Sequence, residues 1–257
     1  MRALFLFLLM LLPAGAEACG IDQPCLVAGR AYRILPPPDW DGARRLPVLL
    51  HFHGHARAGG SVIRNPRIAE PAGRMGLLLV APTGQDRTWR FWRGDTPDIA
   101  FVDAVLADLA EHYPIDRARV IVSGFSFGGA MAWRLACNRG ADFAAYLPLA
   151  GNLADIDPSQ CPGGPARIFH VHGRGDRSMP FPGGRGAAPA AAMALWLGIN
   201  GADREPMRRA QIGNYDCTEW EGAERVTLCS HPGRHVIPPD WLDRALPPIL
   251  AELGLRE

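Results

Sequence analysis

The chain has 257 residues, 48% of them hydrophobic and 21% charged, and a formal net charge of +1 at pH 7. That is enough apolar material for one sizeable core, and the length is ordinary for one α/β domain. The near-neutral balance gives no electrostatic case for nucleic acid or an anionic membrane surface as a partner.

Residues 1–18 stand apart. Arg2 supplies a positive start, 3–12 an apolar run, and Ala16-Glu17-Ala18 a small-x-small cleavage site. The stretch reads as a secretory signal peptide, too short and wrongly flanked for a membrane span. The remaining chain, 19–257, is then expected as one exported domain, periplasmic or extracellular. Cys19 raises the question of a lipid anchor, but Glu17 sits where a lipidation signal has a small uncharged residue. Export makes disulfides the expected state of the six cysteines. Proximity favours Cys19–Cys25 and Cys217–Cys229, which leaves Cys137–Cys161. No CxxC pair or spacing suits a zinc site.

Residues 25–35 alternate loosely and are expected to form one edge strand, ended by Pro36-Pro37-Pro38. A buried strand is expected at 46–52, ended by His53-Gly54-His55, then a short helix within 61–74 and a buried strand at 77–80. Thr96-Pro97-Asp98 has the hydroxyl cap, first-position proline and first-turn acid of a helix start. After it, Val102, Val105, Leu106, Leu109 and Tyr113 fall on one stripe. Next come a β-branched run at 120–122, the segment Gly124-Phe125-Ser126-Phe127-Gly128-Gly129, and a helical pattern at 130–136. Strands are expected at 143–149 and 167–171, and a helix at 187–197. A β pair at 207–218 and 223–231 would be clipped by Cys217 and Cys229, and a closing helix spans 240–253. Such alternation means a mainly parallel sheet covered on both faces. Working residues in such sheets lie at the carboxyl ends of strands, which selects the loops 53–56, 124–128, 173–177 and 232–236.

Strand, Gly-x-Ser-x-Gly, helix is the context of a nucleophile elbow, with glycine required at 124 and 128 because flanking side chains would collide. A serine hydroxyl needs a base within hydrogen-bond reach and a carboxylate to orient that base. In chain order Ser, Asp, His, the candidates are Ser126, Asp176 and His235; Asp155 or Asp157 and His231 compete less well for the acid and base positions. An ester carbonyl under attack becomes an oxyanion, for which the backbone N–H groups of His55 and Phe127 are the expected donors. His51, His53 and His55 alternate along a strand, but no acidic residue stands close, so no metal is expected. His170 and His172 read as strand-end histidines satisfied by backbone. Trp89 and Trp92 lie in a loop able to line a cleft and are the candidate substrate-binding residues.

These residues together resemble a family: the secreted polyhydroxybutyrate depolymerase and feruloyl or acetylxylan esterase group of the α/β-hydrolase superfamily. The likeness rests on His53-Gly54 after a strand, on 124–131 and on Trp133-Arg134-Leu135-Ala136-Cys137. It continues through His172-Gly173 with Asp176, Pro180 with Gly183-Gly184, Trp196 with Asn200-Gly201, and Gly233 with 235–238. The resemblance implies a single-domain α/β-hydrolase fold, a triad of Ser126, Asp176 and His235, oxyanion donors at His55 and Phe127, and a family bridge Cys137–Cys161. It implies no cofactor. Departures fall at Phe127, His55 and the 233–238 segment, all around the expected cleft.

The expected activity is hydrolysis of carboxylic esters through an acyl-enzyme, on a small-molecule or oligomeric substrate. Hydroxyalkanoate oligomers or polyhydroxybutyrate-type polyester are the first substrate class, and feruloyl or acetylxylan esters the alternative. A peptidase on the same triad, or a non-catalytic secreted binding protein keeping the fold, are the other readings; the latter would be expected to have lost a triad member. The likeness runs from Cys25 to about Pro238, leaving no room for a separate surface-binding domain, so soluble short esters are expected to be cleaved faster than polymer films.

Overall fold

The computed structural model describes residues 19–254 except 21, 94–95, 154–157 and 181–190. The expected signal segment and the competing acids Asp155 and Asp157 therefore lie outside the described residues. So do Gly183-Gly184 of the resemblance and the start of the helix expected at 187–197.

Ten strands form one sheet: β1 (Cys25–Val27), β2 (Arg30–Leu35), β3 (Leu46–Phe52), β4 (Leu78–Pro82), β5 (Ile115–Phe125), β6 (Ala145–Leu149), β7 (Ile168–Gly173), β8 (Arg208–Ile212), β9 (Tyr215–Trp220) and β10 (Val226–His231). Their spatial order is β1-β2-β4-β3-β5-β6-β7-β10-β9-β8. The six central strands from β4 to β10 run parallel, and the outer strands β1, β2, β8 and β9 pair antiparallel. Helices α1 (Gly59–Ile63), α2 (Pro66–Arg74), α3 (Pro97–His112), α4 (Phe127–Arg139), α5 (Ala191–Ile199) and α6 (Trp241–Glu252) cover it.

Why these segments became buried strands is visible in β3, all seven of whose residues are buried. Val48, Leu50 and Phe52 face one hydrophobic cluster with α3, α4 and α5. Leu49 faces the other with α1, α2 and α6. A side-chain period of two therefore feeds both layers, and a continuous apolar run is what a strand covered on both faces requires. Helix α3 starts where expected, the Thr96 hydroxyl accepting from the Asp98 N–H at 3.3 Å, and its buried stripe includes Val102, Val105, Leu106 and Leu109.

Two expected elements divide. Residues 25–35 form a hairpin rather than one strand, because Ala28 (φ 49°) and Gly29 (φ 70°) turn the chain in the left-handed region. Likewise 207–218 is itself a hairpin, β8–β9, turning at Gly213 (φ 60°). The helix expected within 61–74 is two, broken where Asn65 caps α2 by accepting from the Arg67 N–H at 3.1 Å, with Pro66 at its first position.

All three expected disulfides are present: Cys19–Cys25, Cys137–Cys161 and Cys217–Cys229. The last joins residues directly opposite in register on β9 and β10. Cys137–Cys161 spans 24 residues, against 6 and 12 for the others, and ties the end of α4 to the segment before β7. Loop-closure entropy makes it the strongest constraint on the unfolded chain, worth about 3 kcal/mol. Replacing both cysteines with alanine should lower the urea midpoint by more than removing Cys19–Cys25 does; equal shifts would contradict the loop-length argument.

Candidate active site

The turn between β5 and α4 holds Ser126 at φ 59°, ψ −120°. No L-residue adopts this without strain, on the order of 1–3 kcal/mol, so the surroundings must enforce it. They do so by close packing. A Cβ on Gly124 would lie 2.2 Å from the Gly128 carbonyl oxygen, and one on Gly128 only 2.0 Å from that of Phe52. The Ser126 N–H donates to Leu149 O at 2.9 Å, and Ser126 O accepts from the Ala130 N–H at 2.9 Å. Both glycines are thus set by backbone approach, as the pattern predicted.

Two further loops converge on the hydroxyl. The loops after β7 and β10 are laced by the Arg174 N–H to His231 O at 2.8 Å and the Gly175 N–H to Gly233 O at 2.9 Å. This presents Asp176 and His235 to each other. His235 Nδ1 lies 2.6 Å from Asp176 Oδ2, and its Nε2 lies 2.8 Å from Ser126 Oγ. With the Nδ1–H donating to the carboxylate, Nε2 is left to accept from the serine hydroxyl. Burial pushes the Asp176 carboxyl up, but the Met179 N–H, His235 and the Ser178 N–H outweigh it and hold the group below the usual aspartate value. His231 is absent from this line: its Nδ1 accepts from the Gly233 N–H at 3.1 Å, and burial lowers its pKa.

Behind Asp176 the strand-end histidines His170 and His172 each find a backbone carbonyl, as expected, and are also linked to one another and to the triad acid. His170 Nδ1 meets Pro148 O at 2.8 Å, His170 Nε2 meets His172 Nδ1 at 3.1 Å, and His172 Nε2 meets Met179 O at 2.8 Å and Asp176 Oδ2 at 3.3 Å. Both ends of this chain are acceptors. Two neutral imidazoles carry two N–H groups for three links, so one link lacks a proton. Burial lowers the pKa of both rings, against the pull of Asp176 on His172. The spacing of His170 and His172 on one face of a strand, just before Asp176, was the available signal.

A run of rings in contact extends from the residue after the nucleophile. His55 and Phe127 rings lie 4.9 Å apart, Phe127 and Phe91 5.1 Å, and Phe91 and Trp92 5.2 Å. Met179 Sδ stands 3.8 Å from Ser126 Oγ. Trp92 is exposed, but Trp89, expected to line the cleft, is fully buried. Its indole N–H donates to His53 O at 2.8 Å and its ring packs on Phe52 and His53, so it supports the wall from inside. Arg134, buried on α4, donates through Nε to Phe91 O at 2.6 Å and so anchors the aromatic loop. Each histidine of the 51–55 run has a protein partner. His51 faces the Ser123 hydroxyl at 3.2 Å, His53 Nε2 accepts from the Gly84 N–H at 2.9 Å, and His55 faces the Thr88 hydroxyl at 3.3 Å.

A strained serine between strand and helix, lined up with a histidine and an aspartate from later strand ends, defines the α/β-hydrolase class. No protein-family model matches the chain. A probable feruloyl esterase C of Aspergillus flavus is 30% identical over 253 residues, 91% of this chain and 88% of that one. One of Aspergillus niger is 27% identical over 96% of both chains. An acetyl xylan esterase from Aspergillus awamori shares the fold with a TM-score of 0.67 at 16% identity, over 88% of this chain and 94% of that one. The chain belongs to the family of α/β-hydrolase esterases that includes these feruloyl esterases C. It is an ester-hydrolysing serine hydrolase; these relatives do not carry the polyhydroxybutyrate depolymerase part of the resemblance.

Two outcomes test this geometry. Gly128→Ala should lower Tm by on the order of 10 °C or prevent soluble expression, since its Cβ would meet backbone that does not move cheaply; an unchanged Tm would show the turn relaxes. Because Asp176 is held low, its stabilising contribution is present above the unfolded aspartate pKa of about 4 and is lost as pH falls through the folded value. Urea midpoints should therefore fall more steeply from pH 5 to pH 3 in the wild type than in Asp176→Asn, and parallel slopes would refute it.

Proposed function

We propose that the protein is an exported serine esterase acting on esters of aromatic, hydroxycinnamic-type acids, with Ser126 as nucleophile, His235 as general base and Asp176 orienting the imidazole. The observation that carries this is the unbroken line Asp176–His235–Ser126, at 2.6 and 2.8 Å. Ser126 Oγ attacks the ester carbonyl as His235 Nε2 takes its proton. The tetrahedral oxyanion is held by the N–H groups of Phe127 and His55. Phe127 is the first residue of α4, where N–H groups have no intrahelical acceptor. Imidazolium, stabilised by Asp176, returns the proton to the departing alkoxide, and the acyl group stays on Ser126. Water activated by the same histidine then attacks the acyl-enzyme and releases the acid.

Of the two substrate classes expected from the sequence, the feruloyl or acetylxylan class is better supported by the named relatives. Within it, the feruloyl esterase relatives and the run of rings Phe127, Phe91 and Trp92 leading from the nucleophile favour an aromatic acyl group. Export is supported by the three disulfides. Among the described residues no helix is long and apolar enough to cross a membrane.

A fluorophosphonate probe should label the wild type and leave Ser126→Ala unlabelled. Ser126→Ala and His235→Ala should each lower methyl ferulate turnover by several orders of magnitude, with the double variant little worse, because the groups act as a unit. Failure of the wild type to label would end the serine-esterase reading. Faster release from hydroxybutyrate oligomers than from methyl ferulate would return the substrate assignment to the polyester class.

A further inference from the structure

A basic arm of the cleft opens at the nucleophile, and the Phe91, Trp92 and Phe127 rings do not line it. It is a cavity of about 710 Å³ reaching from Ser126 and His235 to the loop before α1 and the start of α2. Its lining contains Arg57, Arg64 and Arg67 and no aspartate or glutamate among the described residues. Several solvent-facing arginines elsewhere do meet carboxylates: Arg74 reaches Asp243 at 2.8 Å, Arg139 reaches Asp103 at 2.5 Å and Arg225 reaches Glu252 at 3.0 Å. In the arm, Arg67 is braced by donating from Nη1 to Ile237 O at 2.7 Å, on the segment that carries His235. The guanidinium groups of Arg57 and Arg64 have no hydrogen-bonding or ionic partner among the described residues.

Three like charges gathered in one concavity disfavour the free protein, because each raises the potential at the others and the walls focus the field. The same arrangement favours an anion that enters. A guanidinium fork matches a carboxylate with two parallel hydrogen bonds, which an ammonium does not. The first turn of α2, which begins in this lining at Pro66, adds the partial positive charge of a helix N-terminus.

We propose that this arm recognises a carboxylate on the substrate, so that preferred esters carry an aromatic acyl group toward the rings and an acid-bearing alcohol toward Arg57, Arg64 and Arg67. The proposal rests on the esterase reading above and names the other half of the ester. The catalytic line is unaffected by it: the carboxylate binds at a distance from the reacting carbonyl and fixes the ester's orientation.

The test uses two esters that differ only in charge: chlorogenate, the caffeoyl ester of a cyclohexane hydroxy acid, and its methyl ester. For the wild type, kcat/KM at low ionic strength should favour chlorogenate by on the order of tenfold. The preference should shrink toward one at high salt and in Arg57→Gln/Arg64→Gln/Arg67→Gln, whose fold is checked by circular dichroism. Equal rates for the two esters in the wild type, or a preference that survives in the triple variant, would overturn the proposal while leaving the esterase reading intact. Calorimetric binding of both compounds to Ser126→Ala reads the arm without turnover, and tighter binding of chlorogenate is expected. If neither ester is hydrolysed yet chlorogenate binds more tightly, the aromatic-ester reading fails and the basic arm stands; equal affinity would sink the arm itself.

Discussion

The backbone at the end of β5 passes so close to its neighbours that a side chain at Gly124 would strike the Gly128 carbonyl, and one at Gly128 the carbonyls of Phe52 and His53. This contact forces Ser126 into a left-handed φ and lifts its hydroxyl clear of the sheet. The parallel sheet then makes the placement useful. Because β5, β7 and β10 all run the same way, their carboxyl ends deliver Ser126, Asp176 and His235 to one edge. Local strain at one residue is held by a core packed on both faces of the sheet, including β3, which is buried throughout. The cost of that strain is a small fraction of what the two clusters contribute.

Chain order and pattern made most of this legible. Glycines at 124 and 128 between a β-branched run and a helical one indicated the elbow, and the Gly-rich ends of β7 and β10 indicated where the acid and base belong. His235 was separable from His231 because Pro232 and Gly233 release the chain from the ladder. The hairpin at 28–29 was not legible, since Ala28 gives no sign of adopting positive φ. Trp89 was misplaced for a related reason. An indole in a loop looks available to a ligand, and only the tertiary structure reveals that its N–H is taken by the His53 carbonyl.

The cleft's chemistry is asymmetric, and that too escaped the sequence. Arg64 and Arg67 fall in a stretch read only as a short helix and Arg57 just before it, and nothing in their spacing announced that they would share a wall with Ser126. The aromatic side was half visible through Trp92, but its anchor, the buried Arg134 donating to the Phe91 carbonyl, sits on the nucleophile helix itself. One helix therefore carries the turn that holds the serine and the cation that fixes the loop across from it. The His170–His172 pair completes the frame from below, placing a proton-poor chain of hydrogen bonds against the Asp176 carboxylate.

The claim at the centre of this account is a covalent acyl group on Ser126. Rapid acid quench of the wild type during steady-state turnover of methyl ferulate, followed by peptide mass spectrometry, tests it directly. The account predicts a feruloyl adduct confined to the peptide containing Ser126, appearing within the first turnover and absent from Ser126→Ala. An adduct on another residue, or full turnover with Ser126 replaced, would contradict it.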